Sequence, residues 1–184
     1  QDLTRLRRVW WGAAPASTTL LRTMIDSFPG AEIIAAFGQT ECSPITCLLR
    51  GEDSIEKIGS VGTPMLNVEV RIVDDDMNEL PDGTVGKLAV RGPTGCRYLA
   101  DNRQSNYVRD GWNLTGDSFV RDANGRLSFV ARSDDMIVSS GYNIAGPEVE
   151  TALLSHPAVA ECGVVGAPDE ARGMIVKAYV VLAG

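Results

Sequence analysis

The sequence predicts a mixed fold in three consecutive parts: an α/β piece, a small antiparallel β-barrel and a smaller α+β lobe. The first part follows from an apolar stripe at helical spacing that lies between two strand-like runs. The second part follows from short β-prone runs separated by turn residues. The third part follows from a predicted helix and the two apolar runs that come after it in the sequence. The expected boundaries are 1–58, 59–133 and 134–184, and the first two parts belong to one larger domain.

The first part has the order strand, helix, strand. The strands are expected over residues 6–11 and 31–37, with a helix over 17–28 between them. Ser17 is a favourable N-cap for this helix, because its hydroxyl can accept a hydrogen bond from an unpaired amide of the first turn. A β-α-β order favours parallel pairing of the two strands. The loop 38–41 then follows the carboxyl end of a strand, where ligands commonly bind in open α/β sheets.

The second and third parts contain shorter elements. The strands of the second part are expected over residues 68–73, 87–91, 118–121 and 126–131. The strands of the third part are expected over residues 136–139, 159–165 and 174–182. A helix is expected to begin near Pro147 and to end at Pro157, because proline suits the first helical turn but cannot continue a helix.

The composition is that of an ordinary globular protein and excludes several classes of function. Of the 184 residues, 44% are hydrophobic and 22% are charged, and the net charge is −7. An acidic chain without a basic cluster is not expected to bind nucleic acid. No run approaches the roughly 18 apolar residues of a membrane span, and no signal-like apolar core begins the chain, so the sequence predicts a cytoplasmic protein. The four cysteines lack metal-site spacing and are expected to be free, mostly buried thiols.

The run Phe37-Gly38-Gln39-Thr40-Glu41 combines side chains that suit a nucleotide. An aromatic ring can stack on a base, and a glycine lets backbone approach a phosphate. A threonine hydroxyl can donate to a phosphate oxygen, and a glutamate can ligate Mg²⁺. The alternative interpretation is a polar turn that follows a buried strand.

Asp117 follows Thr115-Gly116 at an expected junction between a turn and a strand. Its carboxylate can accept hydrogen bonds from two hydroxyls at once, which suits the diol of a ribose. The alternative is an aspartate that accepts hydrogen bonds from the amides of its own turn, which is the commoner role of such residues.

The segment Arg132 to Asn143 is the third candidate site. Arg132 can pair with ribose or phosphate oxygens, and the Ser-Ser-Gly-Tyr run can bring backbone close to a narrow ligand. The alternative is an exposed linker that contains a salt bridge.

Six motifs in this order resemble those of the adenylate-forming superfamily of acyl-CoA synthetases, peptide-synthetase adenylation domains and luciferases. They are Gly12-Ala13-Ala14-Pro15, Phe37 to Glu41, Gly59 to Pro64, Gly111 to Asp117, Arg132 to Asn143 and Val164 to Asp169. Stretches 96–99, 112–117 and 140–144 are most similar to benzoate- and aminobenzoate-type CoA ligases. The resemblance implies the end of a large N-terminal domain, followed by an incomplete small C-terminal domain.

The resemblance also implies a role for each matching residue of the nucleotide site. Phe37 would stack on adenine, Thr40 would contact the α-phosphate, and Glu41 would bind Mg²⁺. Asp117 would hold the ribose hydroxyls with the help of Arg132. Thr40 and Glu41 are therefore the expected catalytic residues.

The remaining implied roles concern the edges of the site and the second substrate. Gly12, Ala13 and Ala14 would border the adenine and acyl pockets. Gly38 belongs to the nucleotide side and Gly62 to the acyl side. Asp134 would be a hinge, and the pantetheine channel of CoA would be lined by Ser139, Ser140, Gly141 and Tyr142.

The implied reaction has two steps and three substrates: ATP, CoA and a carboxylic acid that is aromatic or fatty. The carboxylate attacks the α-phosphate of ATP with Mg²⁺ bound, and CoA then displaces AMP from the acyl-adenylate. Two lysines of the family pattern are absent from the chain, which begins at Gln1 and stops at Gly184. The chain is thus expected to be a fragment that is inactive alone and that self-associates through its cut edge.

Two other functions stay open at this point. An adenylation domain that loads a carrier protein has the same nucleotide motifs, and only the resemblance to aryl-CoA ligases argues against it. A non-catalytic nucleotide-binding module is compatible with the two absent lysines.

Overall fold

The computed structural model describes residues 3, 5–14, 16, 18–42, 44–51, 53–93 and 95–183, without the side chain of Ser54. Pro15 of the first motif and the expected N-cap Ser17 lie outside these residues. The chain divides into two compact units, Gln1–Phe129 and Val130–Gly184. The sequence-derived boundary after residue 133 stays a prediction.

In its described residues, the first unit contains four helices or helical turns and most of one large sheet. Its helical elements are α1 (Thr18–Ser27), a 3-10 turn (Thr40–Cys42), α2 (Asp53–Glu56) and α3 (Gln104–Tyr107). Its strands are β1 (Arg8–Gly12), β2 (Glu32–Phe37), β3 (Cys47–Leu49), β4 (Ser60–Pro64), β5 (Glu69–Val73), β6 (Gly86–Arg91), β7 (Val108–Arg109), β8 (Trp112–Arg121) and the start of β9 (Leu127–Arg132). The strand order is β1-β2-β3-β4-β9-β8-β6-β5, with β7 paired to β8.

The pairing of β1 with β2 is parallel, as the β-α-β order predicted. The other strand pairings in the described part of this sheet are antiparallel. The described ladder runs as a path from β1 to β5, and closure of these strands into a barrel stays a prediction. Short alternating strands are common to closed barrels and curled open sheets, so the sequence pattern alone does not distinguish them.

Several strands of the sheet contribute to one apolar cluster. The cluster consists of Cys42, Cys47, Val61, Ile72, Leu88, Val90, Phe119 and Leu127, with Phe37, Val68, Val70, Leu80 and Phe129 packed against it. Phe119 is fully buried and makes edge-on contacts with the rings of Phe37 and Phe129, at centroid distances of 4.8 Å and 5.6 Å. Residues from β2, β5, β8 and β9 therefore share one core.

The four cysteines are free thiols, as expected. Cys42 and Cys47 are buried, whereas Cys96 and Cys162 are half-buried. Burial raises the pKa of the Cys47 thiol to about 12, because the thiolate would be cut off from water. In the described part of the chain, every helix is too short or too polar for a membrane crossing.

The second unit is a small antiparallel sheet with one helix. Its elements are β10 (Ile137–Ser139), β11 (Tyr142–Ile144), α4 (Gly146–Leu154), β12 (Val159–Asp169) and β13 (Gly173–Leu182), with strand order β11-β10-β13-β12. Pro147 lies in the first turn of α4, as predicted. Glu150 ties this helix to the sheet, because its Oε1 accepts a hydrogen bond of 2.8 Å from the amide of Val164 on β12.

Two glycines at positive φ offer a direct test of backbone crowding in this fold. At Gly62 (φ 82°), a Cβ atom would overlap the carbonyl oxygen of Leu48 on β3. At Gly83 (φ 81°), a Cβ atom would meet open space. We expect Gly83→Ala to lower the free energy of unfolding by about 1 kcal/mol, and Gly62→Ala to lower it by at least about 2 kcal/mol more.

Urea unfolding followed by tryptophan fluorescence measures both values. Gly83→Ala is the matched control, because it carries the same left-handed backbone without the overlap. Equal losses of stability in the two variants would contradict the crowding at Gly62.

Candidate functional site

The candidate site lies at the carboxyl ends of the two parallel strands. β2 ends at Phe37, and the chain turns at Gly38 before the 3-10 turn. A Cβ atom on Gly38 would overlap the carbonyl oxygen of Pro44, and the amide of Thr46 donates a 2.8 Å hydrogen bond to the Phe37 carbonyl. The loop therefore folds back on itself, and Gly38 is small because the chain passes close to it.

The neighbouring strand end carries the first small-residue motif. Gly12 pairs with Ala36 of β2, and a Cβ atom on Gly12 would overlap the Ala36 carbonyl oxygen. Ala13 has a positive φ of 67° and, like Gly12 and Ala14, is exposed. The strand pairing thus brings residues 12–14 to the same edge of the sheet as the loop 38–41.

The Gln39 side chain joins this loop to the Asp117 motif. Its Nε2 donates a 2.7 Å hydrogen bond to the Thr115 carbonyl and a 2.9 Å hydrogen bond to Asp117 Oδ2. The sequence analysis assigned no role to Gln39. A pairing over 78 positions leaves no local spacing signal that could have revealed it.

Asp117 is held in a bulge of β8. The register with β6 shifts between the pairs Lys87↔Ser118 and Ala89↔Leu114, and Gly116 adopts φ 76° in this stretch. The Asp117 amide donates to Thr115 Oγ1 at 3.2 Å, and only 5% of the residue is exposed. The predicted turn before residue 118 is therefore a bulge within a longer strand that begins at Trp112.

Glu41 is fixed by a tyrosine from a distant loop. Tyr98 Oη donates a 2.7 Å hydrogen bond to Glu41 Oε1, and the Cys96 amide donates to the Glu41 carbonyl at 3.1 Å. The Gln104 Oε1 accepts from the Tyr98 amide at 2.8 Å, which orders this loop. The hydrogen bond to Glu41, followed by burial, raises the pKa of the Tyr98 phenol. The sequence analysis noted the stretch around Tyr98 but gave the residue no role.

The remaining candidates of the first unit have less specific surroundings. Phe37 is half-buried, with its ring edge-on to Phe119, and Thr40 is exposed. Gly62 lies on β4, where its missing side chain makes room for the Leu48 carbonyl of β3. A role for Gly62 beside an acyl group stays a prediction.

The other candidates belong to the second unit. Arg132 Nε lies 3.4 Å from Asp134 Oδ1, and their side chains are 46% and 75% exposed. Ser140 (φ 50°) and Gly141 (φ 85°) form the tight turn between β10 and β11, where Ser139 pairs with Tyr142. The Ser140 amide donates to the Arg172 carbonyl at 2.9 Å, and Tyr142 is 75% exposed.

The oxygen ligands of the first unit suit Mg²⁺ only if a nucleotide supplies further ligands. The described residues contain no group of three or more His, Cys, Asp or Glu side chains that could hold a metal ion. Mg²⁺ is commonly bound by one or two carboxylates together with substrate phosphates. The single carboxylate of Glu41, held by Tyr98, fits that mode of binding.

Comparisons with known proteins identify relatives of this chain. Of the solved structures, amide bond synthetase McbA from Marinactinospora thermotolerans is 35% identical, with a TM-score of 0.90, over 100% of this chain and 38% of that chain. The o-succinylbenzoate coenzyme A synthetase MenE from Bacillus subtilis, in complex with ATP and magnesium ion, is 36% identical, with a TM-score of 0.85, over 96% of this chain and 36% of that chain.

A human protein described as acyl-coenzyme A synthetase ACSM4, mitochondrial, is 44% identical over 84% of this chain and 27% of its own length. The chain thus spans about a quarter to two fifths of the length of these relatives. The profile of the AMP-binding enzyme C-terminal domain matches residues 148–184, and the profile of the AMP-binding enzyme matches residues 1–98. The chain belongs to the family of AMP-binding enzymes.

Proposed function

We propose that the chain is part of an ATP-dependent carboxylate-CoA ligase. The complete protein would convert a carboxylate, ATP and CoA into acyl-CoA, AMP and pyrophosphate through an acyl-adenylate. The observation that carries this proposal is the bridge from Gln39 to Asp117, which joins the first two nucleotide motifs into one site. The human relative described as an acyl-coenzyme A synthetase and the MenE complex with ATP support the same reaction class.

In this proposal, the nucleotide lies along the carboxyl edge of β1 and β2. Adenine stacks on the exposed part of Phe37, beside residues 12–14 and Gly38. The buried Asp117 carboxylate accepts hydrogen bonds from the ribose hydroxyls. Thr40 donates a hydrogen bond from its hydroxyl to the α-phosphate. Arg132 is included in ribose binding on the family resemblance alone.

Glu41 is the proposed ligand of Mg²⁺. Bound Mg²⁺ would neutralise charge on the phosphate oxygens while the carboxylate attacks. Tyr98 holds one oxygen of Glu41 through a 2.7 Å hydrogen bond, which limits the rotation of the carboxylate. Thr40 and Glu41 are the proposed catalytic residues of this chain.

The second step takes place after a change of conformation in this proposal. Asp134 is the proposed hinge, and its side chain is 75% exposed. The tight turn of Ser139, Ser140, Gly141 and Tyr142 borders the pantetheine arm of CoA. The acyl group, aromatic or fatty, lies near Gly62.

A different acceptor is the second candidate function. The similarity to an amide bond synthetase is as extensive as the similarity to a CoA ligase, so a non-CoA acceptor is also supported. A carrier protein would be such an acceptor, and a non-catalytic nucleotide-binding module is the third candidate. The sequence-based expectation of a cytoplasmic protein stays a prediction.

The first prediction from the proposed function concerns activity. We expect the isolated 184-residue chain to lack carboxylate-dependent exchange between ATP and pyrophosphate. A protein that contains this chain together with both family lysines is expected to catalyse it. Losing one positively charged lysine of an active site commonly costs about 3 kcal/mol or more of transition-state stabilisation. The formation of radiolabelled ATP from labelled pyrophosphate measures the exchange, with benzoates and fatty acids as the carboxylates.

Robust exchange by the isolated chain would contradict this prediction. In the complete protein, the activities with CoA, with a carrier protein and with an amine as the acceptor would identify the second substrate.

The second prediction concerns the ribose contact. Asp117→Ala in the complete protein is expected to raise the KM for ATP roughly tenfold to hundredfold, because hydrogen bonds to a carboxylate are worth about 1.5–3 kcal/mol. Asp26→Ala is the control, since Asp26 is an exposed residue of α1. Steady-state kinetics with varied ATP measure the effect. An unchanged KM and kcat in Asp117→Ala would refute the ribose assignment.

The third prediction concerns self-association. β1 is an end strand of the described sheet, and Trp10 on it is 53% exposed. An unpaired strand edge with exposed apolar side chains favours pairing with another chain. Sedimentation velocity of the isolated chain is therefore expected to detect species larger than 19.7 kDa, and Trp10→Lys is expected to reduce them. A clean monomer that binds no apolar dye would contradict this.

A further inference from the structure

Gln39 is the least expected member of the site. Its amide group has two N–H donors, and both are used within the protein, on the Thr115 carbonyl and on Asp117 Oδ2. The Nε2 atom therefore has no N–H left for a nucleotide. Any effect of this nitrogen on nucleotide binding is therefore indirect and passes through Thr115 and Asp117.

The two acceptors of Gln39 belong to the same bulge. The register shift between β6 and β8 covers Thr115 to Asp117, so the Thr115 carbonyl lies in an interrupted part of the ladder. A buried backbone carbonyl requires hydrogen-bond donors. Gln39 supplies one at 2.7 Å, and the same nitrogen fixes the carboxylate two residues further along.

The buried state of Asp117 makes its orientation sensitive to that donor. With only 5% of the residue exposed, water offers little alternative hydration, so losing the Gln39 donor reduces the hydrogen bonding of a carboxylate oxygen. A hydrogen bond to an ionised acceptor is also stronger than one between neutral groups. Removing the Gln39 amide would let the carboxylate and the bulge adopt other orientations.

We propose that Gln39 is a positioning residue for ribose recognition: by bridging Thr115 and Asp117, it holds the Asp117 carboxylate in the orientation that accepts the ribose hydroxyls. The inference rests on the proposed nucleotide site and adds to it a residue that determines specificity for ribonucleotides. It implies that preference for the ribose diol depends on Gln39, whereas contacts with base and phosphates do not.

The test measures that preference directly in a complete protein containing this chain. Isothermal titration calorimetry gives the Kd of ATP and of 2′,3′-dideoxy-ATP, which lacks both hydroxyls. Wild-type protein is expected to bind ATP more tightly than the dideoxy analogue. Gln39→Met keeps the shape of the side chain but has no donor, and it is expected to reduce the ratio of the two Kd values by roughly threefold to tenfold. Its Kd for the dideoxy analogue should change less than about twofold.

Two comparisons separate this role from general support of the fold. Gln104→Met makes the same change at a half-buried glutamine that accepts from Tyr98 and is expected to keep the wild-type ratio. Combining Gln39→Met with Asp117→Ala is expected to give the ratio of Asp117→Ala alone, because Gln39 acts through that carboxylate. If Gln39→Met does not fold, Gln39→Asn replaces it, since its shorter amide cannot reach both acceptors.

The possible results have separate meanings. A ratio that stays at the wild-type value in Gln39→Met or Gln39→Asn overturns this inference and leaves the proposed function standing. A variant that weakens both nucleotides equally also overturns it, because that result indicates a structural role only. Wild-type protein that binds neither nucleotide overturns the proposed function and this inference together.

Discussion

The edge-on contact between Phe37 and Phe119 aligns the two segments that form the candidate site. Their centroids lie 4.8 Å apart in the core, and such aromatic pairs contribute about 0.5–1.5 kcal/mol beyond the burial of their surface. Gln39 lies two residues after Phe37, and Asp117 lies two residues before Phe119. The apolar contact in the core therefore joins the two segments that carry the polar pair. Specific polar geometry depends here on the packing of two rings.

The glycines of the site motifs have structural reasons that a ligand-centred interpretation overlooks. Gly12, Gly38 and Gly62 each leave space that a backbone carbonyl of a neighbouring segment occupies. At these positions a methyl group would push two strands or two loop segments apart. A glycine in a binding motif can thus be required for the approach of the protein's own backbone, independently of any approach to a phosphate.

The two units differ in how firmly they hold their candidate residues. In the first unit, Glu41 and Asp117 each accept a side-chain hydrogen bond from a partner far along the chain. In the second, Arg132 and Asp134 form an exposed ion pair only two residues apart, which contributes little to stability. The geometry therefore supports a preformed nucleotide site more strongly than it supports any role of the second unit.

The local elements were predictable from the sequence because their signals are local. The helix expected over residues 17–28 is observed as Thr18–Ser27, and the strand expected over 31–37 as Glu32–Phe37, since apolar spacing and flanking glycine and proline determine both. Parallel pairing of β1 and β2 followed from the order of elements. Six motifs in order also indicated the family, which the profile over residues 1–98 confirms.

Tertiary structure alone decided the rest. β8 begins at Trp112 and not at residue 118, because pairing with β6 across a bulge maintains a strand where Thr115-Gly116 predicted a turn. Closure of the sheet into a barrel depends on pairing between its two end strands. No local sequence pattern encodes that pairing. The partners of Glu41 and Asp117 lie 57 and 78 positions away. Sequence spacing carries information over one helical turn or one strand, whereas these contacts exist only because a folded core brings distant segments together.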